Sequence, residues 1–94
     1  MKKIKIGAII FKIKVMKFTD TNMGAVSYNK SMIRIRKGLD KQIEKETLLH
    51  EILHIALVQT GHNDKTDEGV IDAIAYTLLN IPGLINLDGF LDNK

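Results

Sequence analysis

Apolar and polar residues alternate along the first part of the chain, from Lys3 to Phe18. A period of two is typical of a β-strand with one buried face. The alternation changes phase between Gly7 and Ile10, which predicts a bulge or a break into two short strands. The predicted inward residues are Ile4, Ile6, Phe11, Ile13 and Val15, and the predicted outward residues are Lys3, Lys5, Lys12 and Lys14.

Two further short apolar runs follow a turn-forming cluster, TDTNMG, at Thr19–Gly24. The runs AVSY and MIRIR flank Asn29–Ser31 and predict a hairpin. In its second strand we expect Ile33 and Ile35 to face inward, and Arg34 and Arg36 to face outward. The first third of the chain is therefore predicted to form a small antiparallel β-sheet.

The apolar spacing changes to that of a helix after Asp40, which is a suitable N-cap. We expect this helix to end at about Thr60, with Gly61 as the stop. Its predicted buried stripe consists of Ile43, Leu49, Ile52, Leu53, Ala56 and Leu57.

A second helix is predicted from a cap at Asp64 or Thr66 to about Asn80, before Pro82. Its predicted core residues are Ile71, Ile74, Ala75 and Leu78. The final segment is predicted to form a short helix or an arm folded onto the core. The 94 residues thus predict one α+β domain, residues 1–94, with a small sheet, a long helix and a second helix.

Composition restricts the classes of protein. The chain has no cysteine, which excludes a disulfide framework and a Cys-ligated zinc site. The N-terminal apolar run is shorter than a secretory signal needs, and no run approaches the length of a membrane span. We expect a soluble protein that is cytoplasmic and has no membrane partner.

Charge is divided unevenly along the chain. Residues 1–47 contain 12 Lys and Arg against 4 Asp and Glu, whereas residues 48–94 contain 2 against 7. The basic half has two interpretations, a lysine-lined strand face in water or a surface for nucleic acid or an acidic peptide. We expect nucleic acid to be the weaker candidate, because no aromatic residues are interleaved with these lysines.

The most hydrophobic stretch of the long helix contains three ionisable residues in the motif HEILH: His50, Glu51 and His54. Burying such groups costs several kcal/mol, roughly, unless each finds a partner. Histidines four residues apart lie on one face of a helix and can bind one metal ion. In this motif the histidines bind zinc, and Glu51 serves as general base toward a metal-activated water. Paired buried histidines without metal are the alternative.

A catalytic zinc site needs a third protein ligand and one open position. Glu68 is the preferred candidate, with Asp72 four residues later on the same helix face to accept the N–H of a ligating imidazole. The alternatives are the reverse assignment, in which Asp72 is the ligand and Glu68 its neighbour, and His62 as the ligand. Asp64 and Asp67 are less favoured candidates.

A peptide substrate would pair with an edge strand, for which Met32–Arg36 is the candidate. Tyr76, two helical turns after Glu68, is the candidate donor to the transition state, and Tyr28 is the other tyrosine of the chain. For each tyrosine the alternative is a packed ring with its hydroxyl in water.

The motif HEILH followed by EGVID resembles the gluzincin arrangement of thermolysin-like peptidases. More closely, the segments GAVSYNKSMIRI, KETLLHEILHIAL and DEGVIDAIAYTLL resemble, in order and spacing, the small phage-type zinc peptidases related to the ImmA/IrrE and SprT-like groups. This resemblance covers roughly Lys5 to Leu79 and implies a minimal zincin-like fold. It implies zinc bound by His50, His54 and Glu68, and a cytoplasmic, often phage- or mobile-element-borne hydrolase.

The predicted function is therefore zinc-dependent hydrolysis of peptide bonds in a protein or peptide substrate, which includes regulatory proteins. Two alternatives remain. One is a zinc-binding phage or mobile-element regulator without hydrolytic activity, and the other is nucleic-acid binding through the basic sheet. The ligand set favours Zn²⁺, although Mn, Fe, Co or Ni also suit it. The substrate and the oligomeric state do not follow from the sequence.

Overall fold

The computed structural model describes residues 2–62 and 67–91. Its strands are β1 (Lys2–Ile6), β2 (Ile9–Met16), β3 (Gly24–Ser27) and β4 (Met32–Arg36). Its helices are α1 (Lys41–Gln59), α2 (Glu68–Leu79) and α3 (Asp88–Leu91). The α+β prediction is confirmed. Within the described ranges, no helix is both long enough and apolar enough to cross a membrane.

The change of phase in the first alternating segment is a two-residue hairpin loop. Strands β1 and β2 pair antiparallel, with Ile6 opposite Ile9. Gly7 has φ +60°, a conformation that glycine adopts without steric cost, so the chain reverses here. The predicted inward residues lie on the core face, and the four lysines lie on the opposite face.

The prediction of an antiparallel sheet is wrong in one pairing. The sheet is mixed, with the strand order β1-β2-β4-β3, and β2 pairs parallel to β4. The segment between β2 and β3 carries the chain past the position of β4, and β3 then returns antiparallel to β4. Alternation specifies which face of a strand is buried but not which neighbour it pairs with, so the sequence pattern did not reveal this order.

This strand order also corrects the predicted peptide-binding strand. Strand β4 is paired on both sides, so its backbone cannot accept a further strand. The sheet edges are β1 and β3; both contact α1, and β3 does so more extensively.

Helix α1 has the predicted ends. The Asp40 carboxylate accepts a hydrogen bond from the backbone N–H of Gln42 at 2.8 Å. Thr60 is the C-cap, and Gly61 follows with φ +86°. The deepest residues of α1 are Leu48 and Ile55, which the predicted stripe omitted.

Most of the predicted stripe of α1 is at least partly buried, but Ile43 is exposed. It lies near the start of the helix and lines the open cleft described below, rather than the core. The core is formed by one sheet face, α1, Ala75 and the C-terminal segment: Ile6, Phe11, Ile13, Ile33, Ile35, Leu48, Leu49, Ile55, Ala75, Leu87 and Leu91.

Helix α2 differs from its prediction at its start and on one face. Its N-cap is Asp67, whose carboxylate accepts from the N–H of Gly69 at 2.8 Å. The predicted caps Asp64 and Thr66 lie outside the described residues. Ile71 and Ala75 are buried as predicted, but Ile74 is exposed because α2 packs on α1 through a narrower face than its apolar composition suggests. The ambiguous C-terminal segment forms the short helix α3, with Leu91 buried.

Candidate metal centre

Helices α1 and α2 pack against each other and bring three side chains to one point. His50 and His54 lie one turn apart on α1, and their Nε2 atoms are 3.1 Å apart. Glu68, the first residue of α2, places Oε2 2.6 Å from Nε2 of His50 and Oε1 3.1 Å from Nε2 of His54. This is the group of potential metal ligands found among the described residues.

Two of these distances are near those of a zinc site. Zinc–nitrogen and zinc–oxygen bonds of about 2.0–2.2 Å in a tetrahedron place neighbouring ligand atoms about 3.3 Å apart. The separation of the two nitrogens and that of His54 Nε2 from Oε1 of Glu68 are both 3.1 Å, whereas the 2.6 Å between His50 Nε2 and Oε2 of Glu68 is a hydrogen-bond length. The group could hold one metal ion if the exposed Glu68 carboxylate moved outward.

The contacts of His50 are also compatible with metal binding. Its Nδ1 lies 2.7 Å from Oδ1 of Asp72, so a neutral ring that donates here has a lone pair on Nε2. That lone pair faces a carboxylate oxygen of Glu68 and the other imidazole. With the ring in this neutral form, a metal ion between these atoms would replace the repulsion between their lone pairs with coordinate bonds. Asp72 then orients the ring in the manner typical of ligating histidines.

Burial is graded across the site. The His54 side chain is nearly buried and the His50 side chain is mostly buried, whereas the side chains of Glu68 and Asp72 are 65% and 71% exposed. The histidine side chains are therefore held on α1, on the side against which α2 packs. The site is therefore open to water along the carboxylates.

Glu51 lies beside the ligands without being one of them. It is only 7% exposed, although the ends of most glutamate side chains lie in water. It lines one cavity with both histidines and a second cavity with His54 and Glu68. The helix thus presents a buried carboxylate next to, but outside, the group of candidate ligands.

The larger of these cavities is a cleft of about 760 Å³ between α1, α2 and the start of β3. It is lined by both histidines, by Glu51, Glu68 and Asp72, and by Asn22, Met23, Gly24, Ile43, Glu46 and Thr47. Edge strand β3 therefore begins in the wall of this cleft, next to the ligands.

Gly24 makes this close packing of β3 on α1 sterically feasible. A Cβ atom at this position would lie 2.7 Å from Cγ2 of Thr47 and 3.3 Å from Cγ of Glu51. Glycine is therefore required by the approach of α1, and not by its backbone angles, because its φ is not positive. In the sequence pattern this glycine appears only as the end of the turn-forming cluster at Thr19–Gly24.

Three predicted candidates lie apart from the ligand group. His62 is exposed in the turn after α1, where its Nδ1 is 3.1 Å from Oγ1 of Thr60. Asp67 serves as the N-cap of α2. Tyr76 is 58% exposed and does not line either cavity at the ligands. A fourth candidate, Asp64, lies outside the described residues.

Tyr28 is the tyrosine that lies at the site. With Val26 it forms one wall of a cavity of about 280 Å³, and Glu51, His54 and Glu68 form the rest. Tyr28 lies in the turn after β3, so its position depends on the pairing of β3 as an edge strand. Choosing Tyr28 rather than Tyr76 as the candidate donor from the sequence would have required the correct strand order.

Comparisons of the chain with protein-family models, with curated proteins and with solved structures give no match. The resemblance to phage-type zinc peptidases therefore stays a prediction that rests on the motifs.

Proposed function

We propose that this protein is a zinc-dependent peptidase that acts on protein or peptide substrates. The observation that carries the proposal is the convergence of His50 Nε2, His54 Nε2 and the Glu68 carboxylate within 3.1 Å of one another, with Glu51 buried alongside. Hydrolysis by a metal-activated water uses both parts, a set of metal ligands and a separate general base.

Different residues have the two proposed roles, binding the ion and transferring protons. His50, His54 and Glu68 would bind the ion, and Asp72 would keep the His50 ring in its ligating tautomer. Zinc bound there supplies Lewis-acid activation of water at neutral pH. Glu51 would accept the proton of the attacking water and later deliver it to the leaving amine.

The substrate would bind as an extended strand along β3. Among the described strands, β3 pairs with none on the side away from β4, and it borders the cleft that contains the candidate ligands. The Tyr28 side chain replaces Tyr76 as the proposed hydrogen-bond donor to the transition state, because it shares a cavity with Glu51 and His54. The absence of cysteine is compatible with activity in the cytoplasm.

The first experiment is elemental analysis of untagged protein after zinc loading and removal of excess metal. We expect about one zinc per chain, as a single mononuclear site requires. His54→Ala and Glu68→Ala should lose it, whereas His62→Ala, which removes the exposed histidine, should keep it. Circular dichroism checks that each variant is folded. Zinc retained by both ligand variants would refute the assigned site.

The second experiment separates the peptidase from its non-catalytic alternative. Zinc-loaded wild-type protein and Glu51→Gln are incubated with a proteome-derived peptide library, and cleavage is read by mass spectrometry. We expect cleavage only by the wild type, with equal zinc in both proteins. Zinc binding without cleavage would instead favour a metal-stabilised regulatory protein. Cleavage by Glu51→Gln would exclude Glu51 as the base.

A further inference from the structure

The β-sheet has one covered and one uncovered face. Helices α1 and α3 pack on the face that contributes to the core. In the described ranges no helix covers the other face, which we call the basic face. Six cations on three adjacent strands lie on it, and one of them, Arg36, is paired with Asp20. The other five define the basic face: Lys3, Lys5, Lys12, Lys14 and Arg34.

Like charges are direct cross-strand neighbours on the basic face. Lys3 lies opposite Lys12, and Lys14 lies opposite Arg34. Such pairs destabilise a sheet, and a face that serves only solubility mixes both signs of charge. The ion pairs of the described residues include none of the five cations. The face therefore has an uncompensated positive charge that a bound polyanion would neutralise.

One end of the basic face holds a guanidinium in place. The Cζ atom of Arg34 lies 5.7 Å from the centre of the Phe18 ring, within the range of a cation–π contact. Arg36, two residues further along β4 on the same face, is occupied by the backbone carbonyls of Asp20 and Asn22. The Nε atom of Arg34 is buried and has no hydrogen-bond partner among the described residues, so a phosphate would be met by the terminal nitrogens of this planar guanidinium.

We propose that the basic face binds the phosphate backbone of double-stranded DNA without reading its sequence. Residues two apart on a strand are about 7 Å apart, so the five cations form a two-dimensional array that a repeating phosphate charge can match. Among the described residues, the aromatic ring at this face is Phe18, which is partly buried and in contact with the guanidinium groups of both Arg34 and Arg36. A ring engaged in this way is poorly placed to stack on bases, which favours a duplex over a single strand. Ile10 is its one strongly exposed apolar residue among those described, which is little for insertion into a lipid surface.

This proposal is independent of the metal centre, because the candidate ligands lie on α1, which packs on the opposite face of the sheet, and on α2, which packs on α1. Its test is fluorescence anisotropy with a labelled duplex of about 20 base pairs over a series of KCl concentrations. If about four phosphates are contacted, the affinity should fall about 100-fold between about 50 and 200 mM KCl.

Two charge-matched variants test the location. The pair Lys12→Gln and Lys14→Gln removes two charges from the basic face, and should reduce the slope of log K against log salt by about 2. The control pair Lys37→Gln and Lys41→Gln removes two charges that border a cavity on the helical side, and should leave the slope near that of the wild type.

Three results would overturn the proposal. One is no binding of the duplex at low salt, and another is an equal loss of affinity in both variant pairs. The third is tighter binding, at the same salt, to polyglutamate or to phosphatidylserine vesicles, which would assign the face to an acidic protein or to a membrane. Binding that depends on salt and is weakened only by the basic-face pair would support the proposal.

Discussion

Replacing Gly24 with alanine tests the contact between edge strand β3 and the helix that carries the metal ligands. The added Cβ would lie 2.7 Å from Cγ2 of Thr47 and 3.4 Å from the carbonyl oxygen of Arg34. Carbon atoms in favourable contact are about 3.5–4.0 Å apart, so strand and helix must separate or Thr47 must move. Thr47 is buried, and its hydroxyl donates to the Ile43 carbonyl at 2.7 Å. We expect a loss of about 1–3 kcal/mol of stability, typical of overpacking.

The measurement is urea unfolding at one fixed zinc concentration, because a ligand of the folded state changes apparent stability. With an m-value of about 1.5 kcal/mol/M, a loss of 2 kcal/mol lowers the midpoint by about 1.3 M. Adding Thr47→Ser removes the obstructing methyl group and keeps the hydroxyl, so the double variant should recover about 1 kcal/mol or more. Gly89→Ala is the matched control, because Gly89 has open space around it and no positive φ. Equal midpoints for wild type and Gly24→Ala would refute the steric argument.

Two further predictions concern the positioning of the site and the helix that carries it. Asp72→Ala should weaken zinc binding about 10- to 100-fold without abolishing it, because His50 loses the partner that orients its ring; competition with a chromophoric chelator measures this. Asp88→Ala, which removes an exposed carboxylate that pairs with Lys45, should leave the affinity unchanged. Asp40→Ala should lower stability by about 1 kcal/mol in urea unfolding, because α1 loses its N-cap, whereas Asp40→Asn should stay close to the wild type. A larger loss for the asparagine variant would contradict the capping role.

The features that sequence predicts well are those encoded within one element. The alternation of β1 and β2, the Asp40 cap and the Gly61 stop depend on neighbours a few residues away, and each is confirmed. The pairing of His50 with His54 has the same origin, because a spacing of four residues fixes a shared helix face.

The features that it predicts poorly depend on how elements meet. The apolar–polar pattern of β4 is the same for an edge strand and for an interior strand. The prediction that β4 is an edge, available to a peptide, is therefore wrong. Which of Tyr28 and Tyr76 lies near Glu51 and His54 depends on how the elements pack, and Tyr28 is the one that does. Ile43 and Ile74 are apolar at helical spacing, yet the packing of α1 and α2 leaves both exposed.

The position of Glu68 was predictable from the sequence only in part. Its spacing from Asp72 placed both carboxylates on one helix face, but their separate roles depend on where α2 meets α1. The observed contacts divide them, since Glu68 faces Nε2 of both histidines and Asp72 faces Nδ1 of His50. No periodicity in the sequence distinguishes the two nitrogens of one ring.

The proposed metal centre and the hydrophobic core share helix α1, and this couples metal binding to folding. Leu48 and Ile55 are fully buried in the core, and His54 lies between them in sequence and is nearly buried. The two histidines therefore stay side by side as long as α1 remains folded against the sheet. An ion bound only by the folded state adds about 4 kcal/mol of stability at a free concentration of about 1,000 times its dissociation constant. For a core of this size that is a large fraction of the total stability, so zinc would stabilise the fold as well as supply its chemistry.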